Sequence, residues 1–188
     1  MATGDLTTLL NVKPWLAIPA NELASDDVLI RLITSASAFI VNYLNRPILT
    51  ASYTEKYNGN GKQFLRLKAW PISAISSLKS STDIIPVSPD GLTDGYIFDD
   101  ATVYLLGPYV FWGGIQNVSI AYSAGYASVP LDVEQACIEL VSLKFKERTR
   151  IGKTSEMLAG QQTTSYAPVD LSKSTKAMIQ NYRNVIPS

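Results

Sequence analysis

Residues 51–67, Ala51-Ser-Tyr-Thr-Glu-Lys-Tyr-Asn-Gly-Asn-Gly-Lys-Gln-Phe-Leu-Arg-Leu67, mark the point where the chain changes its period. Upstream, apolar residues recur every three or four positions. Here they alternate. Tyr53, Glu55 and Tyr57 fall on one side of an extended strand, and Thr54 and Lys56 on the other, because successive strand side chains point to opposite faces. Asn58-Gly-Asn-Gly61 signals a turn, since Gly and Asn accept positive φ at little cost. Phe64-Leu-Arg-Leu67 resumes the alternation, so the whole stretch predicts a β-hairpin.

Outward from this point the elements follow in order. A helix is predicted over 26–44: Ser25 stands at the N-cap, Asp26 and Asp27 sit where the helix dipole favours negative charge, and Val28, Leu29, Leu32, Ile33, Ala36, Ile40, Tyr43 and Leu44 recur at helical spacing. Asn45-Arg-Pro47 ends it. Further upstream, residues 3–12 predict a short helix opened by Thr3 or Asp5 and stopped by Pro14. Downstream, strands are expected at 73–80, 96–98, 102–106 and 118–122, with loops over 83–95. A second long helix follows Pro130, with Val133, Ala136, Cys137, Leu140, Val141 and Phe145 on its apolar stripe. Residues 152–168 have no apolar period, and a last helix is expected over 170–184.

This order predicts an α+β fold, mainly helical: two long helices and a C-terminal helix form the core, with a small antiparallel β region inserted. The expected organisation is one domain over 1–150 (helix 26–44, β region 51–122, helix 131–148). A flexible arm and the C-terminal helix take up 151–188.

Composition excludes much chemistry. The 188 residues contain no His and a single Cys, Cys137. Ser–His and Cys–His nucleophile pairs, His bases, His metal ligands, intrachain disulfides and multi-Cys zinc sites are therefore out of reach. Lys plus Arg equals Asp plus Glu, at 16 each, without the basic excess of a protein that grips duplex DNA. Met1-Ala-Thr-Gly-Asp5 opens no export signal, and no apolar run is expected to span a bilayer, so no membrane partner is predicted. No residue pattern asks for a cofactor.

Candidate sites are few. Asp26-Asp27, Asp90…Asp94 and Asp99-Asp100 are the carboxylate clusters, and none has calcium-loop spacing. Capping and turn formation account for them. Gly59 and Gly61 lack the Lys-Ser/Thr ending of a phosphate loop. Cys137 falls on an apolar stripe and reads as a small core hydrophobe. Lys144, Lys146, Arg148, Arg150 and Lys153 form a basic run. It either complements a helix dipole in solvent, or meets an acidic partner or DNA in a channel. The aromatic loop Tyr109-Val-Phe-Trp112, between breakers, either closes the core or contacts a neighbouring subunit through Tyr109, Phe111 and Trp112.

Three segments together carry a resemblance. The first is Glu55-Lys-Tyr-Asn-Gly-Asn-Gly61 with Phe64-Leu-Arg-Leu67 and Trp70-Pro-Ile-Ser73. The second is Val118-Ser-Ile-Ala-Tyr-Ser-Ala-Gly-Tyr126 with Val129-Pro130 and Val133-Glu-Gln-Ala-Cys-Ile-Glu-Leu-Val141. The third is Arg148-Thr-Arg-Ile-Gly152 leading to Ser165-Tyr166. As an ordered set they resemble the head–tail connector, or adaptor, family of long-tailed double-stranded DNA bacteriophages. The resemblance implies a non-enzymatic subunit of a homo-oligomeric ring in the virion neck, assembled in the host cytoplasm and expected as a dodecamer. Its partners would be the portal protein, a stopper or other neck or tail protein, and double-stranded DNA passing without sequence-specific binding. Arg148, Arg150, Lys153 and Tyr166 would lie in the portal-facing segment. Two rivals stand beside this reading. One is another neck or tail-completion protein, such as a stopper or tail terminator. The other, of a different class, is a small metal-dependent enzyme built on Asp99 and Asp100.

Overall fold

The computed structural model describes residues 4–148, 155–158, 162–165 and 171–184. The chain divides into two compact units, Met1–Arg46 with Val129–Ser188, and Pro47–Ser128.

The helical unit is organised around α3 (Leu131–Glu147), which packs against α1 (Leu9–Trp15), α2 (Asp26–Leu44) and α4 (Lys173–Ile179). Its buried set, Val133, Ala136, Cys137, Ile138, Leu140, Val141, Ser142 and Phe145, is wider than one stripe because neighbours cover it from several sides. α2 buries Leu29, Ile33, Ala36, Ser37, Ile40 and Leu44 along one face. The small Ser37 and Cys137 meet there, with Oγ and Sγ 3.6 Å apart, and Ser37 Oγ accepts from the Leu6 amide at 2.9 Å. α2 has the predicted bounds, and Asn45 closes it at φ 54°. Its 19 residues are long and apolar enough, by length and composition, to cross a membrane, contrary to the expectation above. A core helix passes the same test, and this one buries a continuous stripe.

Two cap expectations are corrected. Ser25 makes no side-chain cap bond. Instead Asp26 pairs with the buried Lys13, Nζ to Oδ1 2.6 Å, and the same ammonium donates to the Glu22 carbonyl at 2.7 Å, pinning the 16–25 connector. α1 starts later than predicted, capped by Thr8, and runs through Pro14 to Trp15. Pro14 removes only the rung from its own nitrogen, and the helix ends one residue later. α4 is capped by Ser172 Oγ, which accepts from the Thr175 amide at 3.0 Å. Thr175 Oγ1 donates to Glu139 Oε2 at 2.7 Å, and Ile179 is fully buried. A 3-10 turn, Gln180–Tyr182, follows.

The β unit holds β1 (Ala51–Gly59), β2 (Phe64–Arg66), β3 (Ile72–Ser80), β4 (Asp83–Ile84), β5 (Gly95–Phe98), β6 (Thr102–Leu106) and β7 (Gly114–Ala124). One sheet has the order β1-β7-β3-β4 and the other β2-β6-β5, with every pairing antiparallel. Leu65, Leu67, Ile72, Leu78, Tyr96, Val103, Leu105, Phe111, Val118, Ile120 and Tyr122 from both sheets share one core.

Two expectations fail here. Residues 51–67 do not form a hairpin: β1 pairs with β7 (Tyr53↔Tyr122, Glu55↔Ile120, Tyr57↔Val118), and β2 pairs with β6 in the other sheet. The Asn-Gly turn hands the chain from one sheet to the next. The fold is also not mainly helical, with 34% helix against 29% strand. The strands bury a core of their own, so the β region is a full structural unit and not a small insert. Finally, β8 (Ser155–Leu158) and β9 (Gln162–Ser165) pair antiparallel within the segment expected to be an aperiodic arm.

Because Ile179 is sealed between α4 and its neighbours, Ile179→Ala is expected to destabilise the protein by about 2–5 kcal/mol. Urea unfolding followed by circular dichroism checks this.

Candidate interaction surface

The aromatic loop between β6 and β7 is anchored through its backbone. Phe111 N–H donates to the Lys62 carbonyl at 2.9 Å, and Gly61 N–H donates to the Phe111 carbonyl at 2.7 Å. Ser80 Oγ donates to the Val110 carbonyl at 2.9 Å and accepts from the Trp112 amide at 3.1 Å. Asn117 Nδ2 donates to the Trp112 carbonyl at 2.6 Å, while its Oδ1 accepts from the Gly59 amide at 2.9 Å. A Cβ on Gly59 would stand 1.7 Å from that same Trp112 carbonyl oxygen, so no other residue fits there unless the backbone shifts. The Gly-Asn-Gly segment thus cradles the loop.

The loop divides its aromatics. Phe111 is 0% exposed and belongs to the core, and Tyr109 is half-buried against it. Trp112 is 52% exposed, with its Nε1 donating to Asp83 Oδ2 at 3.0 Å. Ile84, next to Asp83, and Ile115 are exposed as well. An indole held by its backbone and by one side-chain bond has little freedom left to lose on contact, which suits an anchor.

The basic run begins on the helical unit. Lys144 Nζ lies 5.7 Å from the Phe39 ring centroid. Arg148 is exposed; its guanidinium stacks 3.7 Å over Phe145 and donates to the Phe145 carbonyl at 2.5 Å. Arg150, Lys153 and Tyr166 lie outside the described residues.

Among the carboxylates singled out in the sequence, Asp90 and Asp99 are occupied by local hydrogen bonds. Asp90 Oδ1 accepts from Thr93 Oγ1 and N, both at 2.7 Å, and from the Leu92 amide at 3.0 Å, and these bonds hold its carboxyl well below the usual range. Asp99 accepts from the Ala101 and Thr102 amides and from the Tyr104 hydroxyl, which lower it likewise. Among the described residues no group of three His, Cys, Asp or Glu side chains is placed to hold a metal ion. Burial pushes the Cys137 thiol up to about 11, which fits the core role.

Sequence reasoning missed one polar cluster. Tyr57 and Tyr122 both donate to Glu55 Oε2, the latter at 2.9 Å. Tyr57 accepts in turn from the Lys68 amide at 2.9 Å and Tyr122 from the Ala69 amide at 3.3 Å, so the cluster clamps the 68–69 segment to the sheet. Tyr53 stacks on Tyr122 with centroids 5.3 Å apart. Burial, reinforced by the bond to Glu55, raises both phenols, Tyr122 to about 12 and Tyr57 further. The Tyr53/Glu55/Tyr57 alternation pointed to this face; the register with Tyr122 was not readable locally.

The head completion protein family model matches residues 5–185. The chain belongs to the head completion protein family. This agrees with the connector resemblance carried by residues 55–73, 118–141 and 148–166, and the family is structural, not enzymatic. No curated protein matches the chain. Among solved structures, this head completion protein resembles a chain of the neck of an empty GTA particle computed with C6 symmetry, at 18% identity and TM-score 0.59. It also resembles one in the neck of a native GTA particle computed with C12 symmetry (15%, 0.55) and one in the virion of a native gene transfer agent particle (16%, 0.58). Each match covers 100% of this chain and 94% of the other. At these identities the likeness is one of fold.

The raised phenols give a pH prediction for this head completion protein. Both ionise more readily in the unfolded chain, where the phenol pKa is near 10.0. Both contributions are complete below about pH 10; that of Tyr122 is lost as pH rises through 12, and that of Tyr57 goes on falling at higher pH. Urea unfolding between pH 9 and 12 is expected to show this fall, and Tyr122→Phe to make it shallower while the part due to Tyr57 remains.

Proposed function

We propose that this protein assembles with copies of itself into a ring in the neck of a phage-type particle. The ring docks on the portal vertex, extends the DNA channel and presents a surface to the next neck or tail protein. The observation that carries this reading is a family match over residues 5–185, joined to a whole-chain fold likeness to neck components. Two of those necks were computed with six- and twelve-fold symmetry, and a dodecamer is the expected state in the virion. Equal numbers of acidic and basic residues suit a channel through which DNA slides without being held. On this reading Trp112 and Arg148, whose exposure leaves them accessible, would be contact residues, and Arg150, Lys153 and Tyr166 would extend the basic segment in sequence.

The test is the mass of the purified protein by light scattering, alone and with portal particles, followed by negative-stain imaging. A ring in either condition supports the reading. A monomer that ignores the portal overturns it. Trp112→Ala is expected to weaken assembly by roughly tenfold or more, as loss of an aromatic anchor does. Its unfolding midpoint should stay within about 1 kcal/mol of the parent, because half of the ring is already in water. A large loss of stability instead would make Trp112 a core residue.

A further inference from the structure

Among the described residues, two pieces of β structure each have a side with no strand against it. β1 ends its sheet: β7 runs along one side, and among the described residues no strand runs along the other. Natural edge strands are blunted by shortness, proline, charge or bulges, because their outward N–H and C=O groups template further pairing. β1 is nine residues long and contains no proline, and its irregularity falls only at its end, between Tyr57 and Gly59. Its exposed face reads Ser52, Thr54, Lys56 and Asn58, with a single charge.

The second piece is the β8–β9 ribbon. Its strands pair from Ser155↔Ser165 to Leu158↔Gln162 and form a two-stranded sheet that joins neither of the others. A lone two-stranded ribbon is marginal in water and gains stability from a third strand. The sequence Gln162-Thr-Thr-Ser165 is uncharged and has β-branched residues at its centre, as a pairing strand requires.

We propose that the β8–β9 ribbon of one copy adds to the β1 edge of the next, so that the four-stranded sheet continues across the subunit boundary as six strands. This rests on the ring reading above and names its interface. The ribbon and the edge are different surfaces of one chain, so the contact is head-to-tail. It repeats from copy to copy and closes when the rotation per step divides a full turn. Main-chain hydrogen bonds supply the affinity, as in other strand additions.

The experiment uses the full chain. One copy carries Thr54→Cys, with Ser52→Cys and Lys56→Cys scanning the register, and the other carries Thr164→Cys. The two are mixed, assembled and oxidised at pH 8, where buried Cys137 remains a protonated thiol. A disulfide between unlike chains in the assembled fraction is expected, together with roughly tenfold slower amide exchange at 51–59, 155–158 and 162–165 on assembly. Thr164→Pro should block assembly and leave the melting of the β unit unchanged. Rings that form with no cross-link at any of the three positions and with unchanged exchange at 51–59 overturn this proposal alone. So does a cross-link confined to one chain, or a Thr164→Pro protein that assembles normally. A chain that stays monomeric both alone and with portal particles overturns the ring reading as well.

Discussion

The β unit depends on β7 having two neighbours at once. Tyr122 stands opposite both Tyr53 and Ile75, Ile120 opposite Glu55 and Leu78, and Ala124 opposite Ala51 and Ile72. Val118, Ile120, Tyr122 and Ala124 all bury the same face. With β7 as the common partner, β1 cannot close on the strand that follows it, so the chain crosses to the second sheet for β2, returns for β3 and β4, crosses again for β5 and β6, and comes back as β7. The Gly-Asn-Gly handover, the cradle for the aromatic loop and the Glu55–Tyr57–Tyr122 clamp all follow from that route. The cost lies in folding, since a strand near residue 120 must find partners near 55 and 75 before the sheet exists.

The helices were readable where independent signals agreed. For residues 26–44 the acidic first turn, the apolar period and the Asn-Arg-Pro stop gave one answer, and the structure has those bounds. The strands over 72–80, 95–98 and 102–106 were also legible, being apolar runs between breakers. What was not legible is long-range. A turn that closes a hairpin and a turn that passes between sheets use the same residues, and only the partner, some 60 positions away, tells them apart. The weight of β structure was underestimated for a related reason. β2 reads as one arm of a small hairpin and the two residues of β4 as loop, yet both complete sheets in the β unit, whose strands share one core.

The candidate surface divides in the same way. Aromatics between glycines marked the 109–112 loop, but a loop has no fixed side-chain parity, so the sequence did not say that Phe111 turns inward and Trp112 outward. The clamp on Glu55 needs the β1–β7 register. In the helical unit, Lys13 falls just beyond the helix expected over 3–12, and nothing local singles it out. Its burial against Asp26 and the Glu22 carbonyl is set by the path of the connector, which local propensity does not encode.

The two ends of the β unit meet. Thr50 N–H donates to the Tyr126 carbonyl at 3.0 Å, Tyr126 N–H donates to the Ile48 carbonyl at 2.9 Å, and a Cβ on Gly125 would stand 2.6 Å from the Leu49 carbonyl oxygen. The incoming and outgoing strands are zipped together just beyond Pro47 and just before Ser128. A module whose ends coincide can be enlarged, trimmed or exchanged during descent without re-threading its host. The helical frame is therefore indifferent to how much chain lies between residues 50 and 125, and insertions there leave its own threading unchanged.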